Sequence, residues 1–156
     1  MKALDKLLFR FHLKKPEKRP FEGMNKLPKP VEEVLNQNGL ATDSLEFIFK
    51  SDMSDVGEYN DVYIMFDESG IYTAVFKEQV RKKEKSKKHL EFKPELLLLT
   101  SLPIAEVDEV FVEQNLSTGV LTYKYNGEYF RLACFSIGLL ERAETFMKIV
   151  NAFKQN

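Results

Sequence analysis

Tryptophan is absent, cysteine occurs once and histidine twice in this chain of 156 residues. The lone Cys134 cannot close an internal disulfide, and with it only His12 and His89 are available to a His/Cys metal centre, which gathers three or four ligands. Both histidines lie in basic segments outside the expected core, so no serine–histidine–aspartate arrangement is suggested. The seven glycines (23, 39, 57, 70, 119, 127 and 138) form neither a phosphate-cradling loop nor a dinucleotide fingerprint. The longest purely apolar run is Leu96 to Leu99, far short of the roughly 20 residues of a membrane-spanning helix. The opening "MKALDKLLFRFHLKK" has charges inside its apolar part and no small-residue cleavage site after it, so it does not read as a signal peptide. Cys134 sits in the apolar run "RLACF", where a free thiol behaves as a small hydrophobe and suits a reducing cytosol.

A hydrophobic content of 44% and an aromatic content of 12% are globular values and fit one domain with its own core. The formal net charge of -1 hides an asymmetry. Residues 1–30 hold nine Lys/Arg against three Asp/Glu, and residues 77–93 hold eight against three; the remainder holds six against eighteen. An acidic body of -12 therefore bears two basic appendages, of +6 and +5.

Residues 1–26 read as a basic leader and linker. Leu4, Leu7, Leu8 and Phe11 follow helical spacing with cations between them, which predicts an amphipathic N-terminal helical extension. Such a helix docks on the domain or a neighbouring subunit, or lies on a membrane surface; an unfolded leader is the remaining reading. "KPEKRPFEGMNKLPKP" then breaks helix repeatedly. A short helix follows near 31–38, with Pro30 in its first turn and Gly39 as its stop.

From residue 45 the hydrophobic period becomes two. "LEFIFKSDM", "DVYIMF", "IYTAVF", "ELLLLTSLPI", "VDEVFVEQ", "GVLTYKY" and "EYFRLACF" read as seven strands, with turns at Asp67–Gly70 and at Asn126-Gly127. The end, "LLERAETFMKIVNAFKQN", places Leu139, Ala143, Phe146, Met147, Val150 and Phe153 on one helical face, predicting a helix near 138–154. The expected fold is mainly β: a seven-stranded antiparallel sandwich or barrel, capped by this C-terminal helix in a pleckstrin-homology-like arrangement.

"SDMSDVGEYND" gathers Asp52, Asp55, Glu58 and Asp61, but their spacing and the glycine position do not match a calcium-binding EF-hand loop; a solvated acidic loop is the simpler reading. No metal, cofactor or catalytic residue is assigned. The lysine-rich stretch "KEQVRKKEKSKKH" supplies the candidate contact: Arg81, Lys82, Lys83, Lys85, Lys87 and Lys88, facing an anionic surface. An inert solvated hairpin tip and a contact with a protein partner are the alternatives. Nucleic acid fits poorly, because few aromatics interleave with these cations and the acidic body repels a polyanion.

From about Leu27 to Phe153 the chain resembles the pleckstrin-homology-like cytosolic domain at the amino terminus of some bacterial ABC exporters of the fused permease and ATPase type. The stretches that carry the resemblance are "LPKPVEEVL", "SDMSDVGEYNDVYIMFDESGIYTAVF", "LPIAEVDEVFVEQNLSTGVLTYKYNGEYFRLACFS" and "GLLERAETFMKIVNAF". The resemblance implies a domain over 27–156 and a non-catalytic docking or regulatory role. Its partner would be the rest of an exporter, at the inner, cytoplasmic face of the cell membrane. A stand-alone module binding an anionic lipid surface or a protein is the alternative. Residues 77–93 read as an insertion where such domains have a shorter turn, and the leader lies outside the match.

Overall fold

The computed structural model describes residues 26–78 and 93–156. Helix α1 (Lys29–Gln37) opens it, with Pro28 at the cap and Pro30 in the first turn, where a missing N–H costs no helical bond. The helix stops at Gly39, whose φ of +89° lets the chain reverse so that the Leu40 amide donates to the Leu35 carbonyl at 3.0 Å.

Strands β1 (Phe47–Met53), β2 (Tyr59–Asp67), β3 (Gly70–Lys77) and β4 (Leu96–Pro103) form one antiparallel sheet in that order. Strands β5 (Glu109–Gln114), β6 (Thr118–Tyr125) and β7 (Glu128–Ser136) form a second. Helix α2 (Leu140–Lys154) ends the chain. The fold is thus mainly β, with seven antiparallel strands among the described residues as expected, in two sheets that do not close into a barrel. The sheets meet where β1 passes β7: the Cys134 amide donates to the Ser54 carbonyl at 3.0 Å, and the Ser51 hydroxyl to the Cys134 carbonyl at 2.5 Å.

Each turn keeps the chemistry its residues suggested. Asn126 and Gly127 take φ of 50° and 80°, the left-handed pair of a two-residue hairpin. Asp67 is more than a turn residue. It is buried, and its carboxylate accepts from the amides of Ser69 and Gly70, from the Tyr72 hydroxyl and from Ser44.

The first sheet is covered on both faces. Phe47, Phe49, Val62, Ile64, Phe66 and Ile71 face the second sheet and α2, where they meet Val110, Leu121, Phe135, Phe146 and Val150. Ile48, Tyr63, Met65, Ala74 and Phe76 face the opposite way and are roofed by Val31, Leu35 and Leu40 of the α1 region. The period of two in "LEFIFKSDM" sets Ile48 on the face opposite Phe47 and Phe49, and Ile48 is nevertheless buried because α1 covers that face. The acidic stretch 51–61 is corrected. Asp52 and Asp61 lie on β1 and β2, and only Asp55 and Glu58 fall in the connecting loop.

Candidate functional site

Strand β3 ends at Lys77 and β4 begins at Leu96, so the lysine-rich stretch links two paired neighbours. The Lys77 amide donates to the Glu95 carbonyl at 2.9 Å, and the Lys77 ammonium lies 4.0 Å from the Glu95 carboxylate, with both side chains exposed. An exposed pair of this kind contributes about 0–1 kcal/mol, so the backbone ladder rather than the ion pair anchors the link. Arg81, Lys82, Lys83, Lys85, Lys87 and Lys88 lie outside the described residues, as does the N-terminal leader through residue 25.

Two leucines missed by the sequence reading stand at the root of this link. Leu97 and Leu98 are 53% and 55% exposed. The ladder between β3 and β4 slips between Val75 and Phe76, which pair with Leu98 and Leu96 and leave Leu97 as the extra residue of a bulge. Leu96 and Leu99 point toward the α1 layer, and Leu102 packs into the core between the sheets. Four consecutive leucines cannot all be buried on an outermost strand.

Beside Leu98 a cleft of about 260 Å³ opens between the sheets. Thr73 and Val75 of β3 and Leu98, Thr100 and Leu102 of β4 line one side; Tyr123, Arg131 and Leu132 line the other, with Asp55 from the β1–β2 loop. The Tyr123 ring stacks on Phe130 at 5.0 Å between centroids. Burial, and secondarily the Glu106 carboxylate, push the Tyr123 hydroxyl above its ordinary pKa, so it remains a neutral donor at physiological pH. The cleft thus joins apolar walls to one cation, one carboxylate and several hydroxyls.

A second hollow, of about 480 Å³, lies where β1, β2 and the end of β7 approach the start of α2. Lys50, Asp52, Asp61 and Arg142 supply its charged groups. Asp52 accepts from the Ser136 amide at 2.9 Å and from the Ser136 hydroxyl, and Lys50 lies 3.6 Å from Asp61 and over the Tyr63 ring. These contacts hold β1 to its neighbours and to the start of the C-terminal segment. Among the described residues, no three His, Cys, Asp or Glu converge as a metal set, and no helix is long and apolar enough to cross a membrane.

No protein-family model matches the chain, and no curated protein matches it in sequence.

Proposed function

We propose that the chain is a non-catalytic docking or regulatory domain, pleckstrin-homology-like in fold, that serves a bacterial ABC exporter at the cytoplasmic face of the cell membrane. The observation that carries the reading is the element order. A short helix, four antiparallel strands, three antiparallel strands and a C-terminal helix across the core follow the arrangement implied by the sequence resemblance. A genetic experiment tests it. Removing codons 27–156 should impair export by the permease and ATPase encoded with them while nucleotide binding by the ATPase persists. Unchanged export, or a locus encoding neither component, sinks the exporter reading.

One observation favours contact with an anionic membrane as the mode of docking. Leu97 and Leu98 are exposed at the root of a link whose sequence holds six Lys/Arg and two Glu between residues 79 and 92, so exposed apolar groups adjoin a basic stretch of the chain. Headgroup attraction supplies about 1 kcal/mol per lysine near the surface and weakens with salt. In vesicle co-sedimentation, the full chain should bind membranes containing phosphatidylserine at low salt and release them at high salt. Replacing Lys82, Lys83, Lys85, Lys87 and Lys88 with Gln should cut partitioning by roughly tenfold or more. Equal recovery with neutral and anionic vesicles would leave the link as a spacer or a protein contact.

A further inference from the structure

The cleft between the sheets differs from the larger hollow in what its polar groups meet. In the hollow, Lys50 pairs with Asp61, and Asp52 accepts from Ser136. In the cleft, Thr73 is only 9% exposed, yet its hydroxyl bonds no described residue. The Thr100 hydroxyl, across the ladder from it, the Tyr123 hydroxyl and the Arg131 guanidinium bond none either. Donors that gather on one cleft and find no partner among the described residues suit a molecule that brings acceptors.

The two charges of the cleft are set in place by backbone. Asp55 sits in a closed turn: the Ser54 amide donates to the Glu58 carbonyl at 2.8 Å, the Glu58 amide donates to the Ser54 hydroxyl at 3.2 Å, and Gly57 takes a φ of +81°. The turn is pinned to β7, whose Cys134 amide donates to the Ser54 carbonyl and whose thiol lies 3.7 Å from the Asp55 carbonyl. On β7 the ladder to β6 slips: Thr122 pairs with Arg131 and Leu121 with Ala133, leaving Leu132 as the extra residue of a bulge. Bulges re-aim side chains, and here Arg131 and Leu132 line the same cleft. Asp55 and Arg131 form no ion pair with each other or with any other described residue, so opposite charges stand apart on one cleft.

We propose that this cleft binds a free apolar α-amino acid of about the size of leucine. Arg131 and the hydroxyls of Thr73, Thr100 and Tyr123 offer donors to its carboxylate, and Asp55 accepts from its ammonium. Val75, Leu98, Leu102 and Leu132 take its side chain. Charge selects a zwitterion: one guanidinium and one carboxylate sum to zero, so a simple anion or a simple cation leaves one of the two unanswered. Size selects the side chain: at about 30 Å³ for each water-sized group, the 260 Å³ of the cleft holds about nine, which matches the non-hydrogen atoms of leucine, isoleucine or methionine. Leu98, half-exposed in the lining, gains cover when that side chain lies on it. The assignment does not rest on the exporter reading.

Isothermal titration of the full chain with L-leucine, L-isoleucine and L-methionine is the test. Saturable binding of at least one of them is expected. The deaminated acid and the decarboxylated amine of the one that binds should each bind about tenfold more weakly or worse, because each lacks one of the two charges. Arg131→Gln and Asp55→Asn should each lower the affinity by about tenfold or more. Circular dichroism should stay that of the parent in both variants, since both residues are exposed and neither belongs to the core. Failure of all three amino acids to bind at millimolar concentration overturns the proposal. So does an acid or amine that binds as tightly as its parent amino acid, or full affinity in either variant. Export plays no part in this readout, so such a failure is distinct from failure of the exporter reading.

Discussion

Tyr63 shows how a single side chain in this sheet couples packing to pH. Its ring meets Phe76 edge-on at 5.7 Å and carries the Lys50 ammonium 5.8 Å from its centroid, while the residue is only 4% exposed. Burial first, and the neighbouring Asp61 carboxylate second, push its hydroxyl up to about 12. An unfolded tyrosine loses its proton near pH 10. The folded value is raised, so the stability tied to this proton is fully present below about pH 10 and is lost as pH rises through about 12. Urea midpoints measured from pH 8 to pH 12 should therefore fall more steeply for the parent than for Tyr63→Phe. The difference between the two curves isolates this residue from Tyr72 and Tyr123, whose hydroxyls are raised in the same direction. Parallel curves would mean that Tyr63 ionises in the folded state as freely as in the unfolded one. Glycine 119 makes the complementary point about volume: a Cβ there would strike the Phe135 ring, so an absent side chain on β6 seats a buried aromatic on β7.

Among the elements, β5 and α2 depend on each other through Asn151. The helix packs Ala143, Phe146, Ile149 and Val150 against the core, and Asn151 reaches sideways from that face to the strand margin. Asn151→Ala would strip both bonds and leave the partly buried Val110 amide and carbonyl unanswered, costing about 1–3 kcal/mol. Asn151→Asp should cost a similar amount by a different route, keeping the acceptor for the amide but setting a carboxylate against the carbonyl. Chemical denaturation of the two variants checks this, and an Asn151→Ala protein as stable as the parent would show that water serves β5 equally well. Nothing local in "MKIVNAF" announced this role, because the partner lies 41 residues away. The elements themselves were legible. Helical spacing located both helices to within about two residues of their ends, and the Asn-Gly pair fixed the β6–β7 hairpin because few other residues accept two positive φ angles. Which strand lies outermost was not legible. Strand order is a tertiary fact: "ELLLLTSLPI" read as a strand, and the exposure of Leu97 and Leu98 followed only from the position of β4 beyond β3.

Across the whole molecule, charge and fold are partitioned. The described residues carry nineteen acids and ten Lys/Arg, for -9; the others carry five acids and thirteen Lys/Arg, for +8, and the two sum to the -1 of the chain. The basic surplus therefore belongs to sequence outside the described residues, while among the described residues the clusters around Phe47 and around Val31 draw on 27–76 and 96–153. This sets the last expectation. The Lys77–Glu95 backbone bond already closes the β3–β4 hairpin, so replacing residues 79–92 with Asn-Gly should leave the fold intact. The excised stretch holds six cations and two acids, so the net charge moves from -1 to -5. Each halving of a flexible loop lowers its closure cost by about 0.6 kcal/mol, and shortening this one should raise stability by roughly 1 kcal/mol. Attraction to anionic vesicles should disappear in the same variant, since its cations leave and the acidic body remains. Thermal melts and co-sedimentation on one preparation read both effects. A lower melting temperature would show that the link packs on the domain and supports it, and undiminished vesicle binding would move the anionic contact to the leader or to Leu97 and Leu98.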